Sequence, residues 1–271
     1  SDIVVPKTVV DEVRQIEGTL DFDGHKLVLK NGIRLFSVAP TGTLKNVIVE
    51  YSYPYSESGI IDHGSLVYSN YGLIENILVK FNRNLTITGN TADFGAVCLN
   101  NYDGGIIQKV AIINDAVLQL NSQTKQTTNS GYFSLGVIYN RGIIRDSYAV
   151  CTNSDARIYN WTSEVGVKNY FGGLVYNNLQ TGIVENCYTV INAYQRQGLD
   201  LSNYTAGLVS TNSGIIKNSF TVGDRLQFIA QAGNVMGAGY KLDETIPAVS
   251  SIGYSRIYDS YYFVNPSKRY N

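Results

Sequence analysis

The sequence predicts an all-β chain, a right-handed parallel β-helix with short helical or irregular caps. Three observations predict it. The first is recurrence. Residues 64–82 read GSLVYSNYGLIENILVKFN, 136–153 GVIYNRGIIRDSYAVCTN, 172–192 GGLVYNNLQTGIVENCYTVIN and 207–223 GLVSTNSGIIKNSFTVG. A weaker copy, GAVCLNNYDGGIIQKVAIIN, covers 95–114, and half-copies stand at 41–51 (TGTLKNVIVEY) and 256–264 (RIYDSYYFV). The second is alternation around a shared anchor at Asn46, Asn76, Lys109, Asp146, Asn186, Asn218 and Asp259. Two residues before it stand Leu44, Ile74, Ile107, Ile144, Val184, Ile216 and Ile257; two after it stand Ile48, Leu78, Ala111, Tyr148, Tyr188, Phe220 and Tyr261. A polar residue usually precedes the anchor, so the period is two and the segments are strands with one buried face. The third is spacing. Anchors recur every 30 to 41 residues, too little chain to enclose a core alone, so units must stack on one another.

Taken in order, residues 1–20 are expected to cap the open edge of the stack. Thr8 and Asp11 resemble a capping box, with Val9, Val13 and Ile16 on one side of a short helix. Residues 21–222 are the repeat coils of a single domain spanning 1–271. Within them Gly72, Gly104 with Gly105, Gly142, Gly182 and Gly214 are read as turns that often need positive φ. An Asn column at the anchors is expected to link side-chain amides from coil to coil. Residues 223–250 break the repeat as an inserted loop or cap, and 251–271 form the last coil and the C-terminal edge. A sandwich or propeller competes, but Asn-Gly and Asp-Gly hairpin signals are sparse, at Asn31-Gly32, Asp23-Gly24 and Asp103-Gly104.

Composition removes several function classes. Only 16% of the 271 residues are charged, the formal net charge is −1, and Lys and Arg form no run. A nucleic-acid partner and a polybasic membrane patch are therefore not expected. No apolar stretch approaches the ~20 residues that cross a bilayer, so membrane insertion is not expected either. Cys98, Cys151 and Cys187 lie inside apolar strands without a CxxC pair and read as buried thiols. No cofactor or metal site is indicated. The chain starts at Ser1 without a signal-peptide pattern and reads as part of a larger exported chain.

Catalytic constellations are thin. His25 and His63 are the two histidines, and neither opens an HExxH. Asp21 and Asp23 in LDFDGH alternate on a strand and could share a face as a carboxylate pair; the simpler reading is a turn held around Gly24. Asp62 beside His63 reads as a strand end. A carbohydrate-active enzyme, lyase or hydrolase, stays open on these residues, and a non-enzyme is the first expectation.

The excess that asks for a function is tyrosine, 21 of them. Tyr51, Tyr53 and Tyr55 alternate in EYSYPYSES, Tyr159 and Trp161 alternate in RIYNWTS, and Tyr170 follows in NYFGG. Pro54 makes a central, fully paired strand unlikely to hold the first group. A ring with an apolar face and a polar rim suits packing on a sugar. These six residues are the candidate carbohydrate-binding set. The alternative is that Tyr148, Tyr188 and Phe220 fill the core or its rim and the loop tyrosines pack over the coil.

The opening EGTLDFDGHKLVLKNGIRLFSVAPTGTLKNVIVEY resembles the lead-in coil of GLUG-repeat proteins, and GGLVYNN…GIVENCYTV and AGLVSTNSGIIKNSFTV resemble the repeat unit itself. The resemblance covers roughly 17–223 and part of 252–264 and implies a right-handed parallel β-helix on a bacterial cell-surface or secreted protein. The second Gly of the family's G-L-V-G is Tyr68, Tyr139, Tyr176 or Ser210 here, so the strand is expected to run on at that point. In composition and expected shape the chain is also similar to tāpirin-type cellulose-binding adhesins. The expected function is an extracellular, non-catalytic adhesin that attaches to an insoluble, cellulose-like polysaccharide or a host or plant surface polymer. A structural stalk and a polysaccharide-cleaving β-helix enzyme are the alternatives.

Overall fold

Leu44, Ile74, Ile107, Ile144, Val184 and Ile216 lie in one file, each paired in parallel register with its counterpart one coil away and each buried. The file is the spine of a computed structural model that describes residues 2–5, 13–29, 34–51, 63–89, 93–122, 130–153, 155–160, 168–195, 204–223, 256–258 and 261–264. The described strands form a 14-stranded, an 11-stranded and a 4-stranded sheet, and every strand pair is parallel. Strands consecutive in the chain pass to different sheets or limbs of a sheet, and each hydrogen-bonds to its equivalent in the next coil. This is a β-solenoid, as the repeats predict.

In a full coil such as 93–122, Asp93–Gly95 and Cys98–Asn101 form two limbs of the 11-stranded sheet. Ile106–Asn114 then lies in the 14-stranded sheet and Val117–Ser122 in the 4-stranded one. Inward side chains merge into one continuous core from Val5 to Ile216. Thr189 and Thr221 are buried within the stack with their hydroxyls 2.6 Å apart, and Thr189 also donates to the Gly207 carbonyl at 2.8 Å.

The anchor residues explain the geometry of the largest sheet, and they correct the expected phase. Asn46, Asn76, Lys109, Asp146, Asn186 and Asn218 all have φ between 48° and 57°. This left-handed region is tolerated best by Asn and Asp after glycine, which is why the column is mostly Asn and Asp. A left-handed residue inside a strand resets the alternation. In Leu73–Phe81, Ile74 points inward before the anchor, while Ile77, Val79 and Phe81 point inward after it. The position two after the anchor, expected on the buried face, therefore points outward: Ile48, Leu78, Ala111, Tyr148, Tyr188 and Phe220 are half-buried on the outer face.

Two amide ladders hold the coils in register. Along the exposed anchors, Asn76 donates to Asn46 (2.6 Å) and Asn46 to Asp21 (2.8 Å); Asn186 donates to Asp146 at 3.1 Å. Lys109 interrupts this column. A second ladder, absent from the sequence reading, is buried and continuous. Asn70 donates to Asn101 (2.7 Å), Asn101 to Asn140 (2.8 Å), Asn140 to Asn178 (2.7 Å) and Asn178 to Asn212 (2.7 Å). Each amide in such a row both donates to and accepts from its neighbours, so burying it leaves few unmet groups.

Gly72, Gly105, Gly142, Gly182 and Gly214 do not have the positive φ expected of them; Gly104 does, at 86°. Their role is steric. A Cβ on Gly142 would stand 2.6 Å from the Tyr102 carbonyl of the preceding coil, so only glycine lets the coils approach. The N-terminal cap also differs. Arg14–Ile16 is a strand paired with Arg34–Val38, and Ile3–Val5 pairs with Lys26–Leu29. Ile16 is thus a strand residue and not part of a helix; Thr8, Val9 and Asp11 lie outside the described residues, as does most of 223–250.

Candidate functional site

The six predicted aromatic residues do not form one surface. Tyr51 is 1% exposed and points into the core. The left-handed Asn46 puts Val47, Val49 and Tyr51 on the inner face. There the Tyr51 ring stacks on Phe81 (centroids 5.2 Å apart) and meets Phe94 edge-on, while its hydroxyl donates to the Ala96 carbonyl at 2.6 Å. Burial holds this phenol far above its ordinary pKa. Tyr51 is therefore a core residue and not a binding one. Tyr53, Tyr55 and Trp161 lie outside the described residues. Tyr159 is half-buried on the 4-stranded sheet, where Ile158 takes the inward position. Tyr170 lies on another sheet, in a cluster the sequence did not single out.

That cluster is separate from the main core. Leu99, Ile138 and Tyr176 are buried in it, and Tyr68, Tyr132, Tyr139 and Tyr170 pack against them. Two limbs of the 11-stranded sheet supply it. Tyr132 and Tyr170 are register partners on Ser130–Ser134 and Lys168–Gly172. Their neighbours Phe133 and Phe171 point inward, which turns both tyrosines outward. Tyr68, Leu99, Ile138 and Tyr176 come from the other limb, which is joined to the first through His63–Asn70. The cluster spans four successive coils, about 14 Å along the axis at the ordinary strand spacing, with tyrosines on three of them and Leu99 on the fourth.

Ring geometry separates this cluster from the second outer group. Tyr148 lies 4.9 Å from Tyr188 and Tyr188 lies 5.1 Å from Phe220, with planes within 8° and 6° of parallel. In that ladder Tyr188 is covered on both faces, so the stack presents mainly edges. The cluster is different. Tyr132 stacks on Tyr176 at 4.6 Å, but Tyr170 is inclined to Tyr176 by 59° and Tyr139 by 76°. Tyr139 and Tyr170 thus meet Tyr176 edge-on or tilted and do not continue its stack.

A carboxylate completes the group. Asp93 lies in register between His63 and Tyr132 and precedes the inward Phe94, so it stands in the outward file that continues to Tyr132 and Tyr170. Desolvation pushes its carboxyl up to about 6, and the nearby Arg34 guanidinium only partly opposes this. Arg34 itself lies over the Tyr68 ring, 4.6 Å from the centroid. Burial, and then the Asp93 charge, raise the Tyr139 phenol; burial and the neighbouring phenols raise that of Tyr176. Both hydroxyls are neutral donors across the ordinary pH range.

The other predicted chemistry resolves into structure. Asp21 accepts from the Asp23 backbone N–H and the Asn46 amide, both at 2.8 Å, and pairs with Lys45 at 3.2 Å. These partners, the Asp23 N–H first, lower its pKa. Asp23 has a φ of 50° beside Gly24, so the pair is a turn. Asp62 lies outside the described residues, and His63 opens a strand. Cys98 and Cys187 are buried and Cys151 is half-buried; all three are free, and burial pushes the Cys187 thiol up to about 12.

No family model, curated protein or solved structure matches the chain. Among the described residues no helix is long and apolar enough to cross a membrane.

Proposed function

We propose that the chain is a non-catalytic binding module of an exported bacterial surface or secreted protein, of the GLUG-repeat kind its sequence resembles. It attaches to a cellulose-like polysaccharide through the outer tyrosine cluster. The observation that carries this reading is the second aromatic cluster itself. Five tyrosines from two limbs of the sheet, four of them half-buried around the buried Tyr176, gather outside the main core beside one carboxylate. Inclined rings with neutral hydroxyls offer apolar faces and polar rims together, the pairing a pyranose ring requires. A site built on strands that stack coil upon coil also keeps its spacing without a ligand, which limits the ordering cost of binding.

A polysaccharide-cleaving reading draws on Asp93, whose raised pKa suits an acid. Hydrolysis by inversion needs a second carboxylate ~6.5–9.5 Å away, and Asp21 and Asp23 are tied into their own turn. Binding is the reading the geometry supports better.

Co-sedimentation with insoluble cellulose tests it. The chain should partition to the pellet, and replacing Tyr132 and Tyr170 together by Ala should reduce the partition at least tenfold. Changing Tyr148 and Tyr188, whose stack presents mainly edges, should leave it nearly unchanged. Equal loss from both pairs would reject the cluster as the binding surface. Release of reducing or unsaturated ends during incubation would favour the enzyme.

A further inference from the structure

Asp93 is the one feature of the cluster that simple ring packing does not explain. Among the described residues its carboxylate has no hydrogen-bond or ion-pair partner, although the residue is half-buried. A carboxylate in that position costs stability unless something donates to it. Its register partner on the next coil is Tyr132, and its charge reaches the Tyr139 and Tyr176 phenols. Its register partner on the preceding coil is His63, and Arg34, whose charge acts on Asp93, rests on the Tyr68 ring.

Unmet polar groups continue the same rows. Val137, Val175 and Val209 are register partners, so Ser210 follows Tyr176 in its file, and Asn177 sits beside Tyr139 as its register partner. Ser210 is 1% exposed, and its Oγ has no hydrogen-bond partner; the Asn177 Oδ1 is likewise buried without one. Buried unpartnered polar atoms are uncommon in folded proteins, and these two adjoin the cluster.

We infer that Asp93 is the charge-selecting centre of this surface. It takes an uncharged hexopyranose unit by accepting hydrogen bonds from two of its hydroxyls, between the Tyr132, Tyr139 and Tyr176 rings, and it turns uronate polymers away. The inference rests on the polysaccharide reading above and adds its selectivity. A neutral sugar supplies the donors that Asp93 lacks, and hydrogen bonds to an ionised acceptor are about twice as strong as neutral ones. A uronate would bring a second carboxylate into the same poorly hydrated space, which one of the two could enter only by taking up a proton.

Native affinity electrophoresis at pH 7 tests the selectivity, in gels containing hydroxyethylcellulose or polygalacturonate. The wild-type chain should be retarded by hydroxyethylcellulose and not by polygalacturonate. Asp93→Asn should bind the neutral polymer about tenfold more weakly and should become measurably retarded by polygalacturonate. Circular dichroism should show Asp93→Asn folded, since the change removes a desolvated charge. Asp93→Asn binding the neutral polymer like wild type would overturn the inference, as would wild type binding polygalacturonate equally well; both leave polysaccharide binding intact. Wild type retarded by neither polymer would overturn the binding reading itself, and the inference with it.

Discussion

Tyr51 and Ala96 are joined by a 2.6 Å hydrogen bond from phenol to carbonyl, buried between coils and spanning 45 residues of sequence. The bond exists because Asn46 is left-handed and turns Tyr51 inward. Tyr51→Phe should cost about 1–2 kcal/mol, the loss of one buried hydrogen bond with its acceptor left unmet. Tyr51→Ala should cost about 3–5 kcal/mol through the cavity beside Phe81 and Phe94. Urea unfolding measures both, and cellulose partition of Tyr51→Phe should equal that of wild type.

The anchors make a separate claim about backbone. Asn186→Gly should lose only the exposed hydrogen bond to Asp146, about 0.5–1 kcal/mol, because glycine occupies the left-handed region freely. Asn186→Val should lose about 1–2 kcal/mol more, to steric conflict at φ 53°. Equal stabilities for the two variants in thermal unfolding would refute the steric explanation of the column.

Much of this architecture was legible in the sequence, and one residue type decided where legibility stopped. Ile74, Ile144, Val184 and Ile216 announced a stacked file by recurrence alone, because the same inward position must be filled in every coil. Alternation continued through the left-handed anchor gives the wrong phase after it, because that residue interrupts the period. That single error placed Tyr148, Tyr188 and Phe220 on the buried side and Tyr51 on the outer one. The recurring Asn–x–Gly or longer-spaced Asn and Gly at Asn70, Asn101, Asn140, Asn178 and Asn212 could have exposed the buried ladder, since each Asn precedes a glycine that only close coil contact requires. The tyrosine cluster was less accessible. Tyr132, Tyr139, Tyr170 and Tyr176 come from two limbs of a sheet, and pairing register, which local pattern does not give, brings them together.

The buried ladder should be a cooperative unit. Asn140→Ala removes a side chain bonded to both Asn101 and Asn178 and leaves both neighbours short of a partner. A loss of about 1–3 kcal/mol is expected. Gly142→Ala should be at least as damaging, since its Cβ would meet backbone of the preceding coil. Urea midpoints near wild type for both variants would show that the coils do not depend on this contact.

Asp93 gives the chain a pH signature. Its folded pKa of about 6 lies above the ordinary aspartate value of 3.8, so folding favours the protonated form. The stability from this group is fully present below about pH 4 and is lost as pH rises through about 6. Asp93→Asn should therefore flatten the pH profile between 4 and 7 and raise stability at pH 7 by about 1–3 kcal/mol. Chemical denaturation at several pH values checks the slope. A stability difference that does not change with pH would contradict it.

Tyrosine nitration read by mass spectrometry, with and without cellohexaose, tests most directly which rings face outward and which of them bind. Tyr51 should stay unmodified in both conditions. Tyr132, Tyr139 and Tyr170 should react in the free chain and be protected by the oligosaccharide, while Tyr148 and Tyr188 react equally in both. Rapid modification of Tyr51, or protection that falls on Tyr148 and Tyr188 while sparing Tyr132 and Tyr170, would contradict the account.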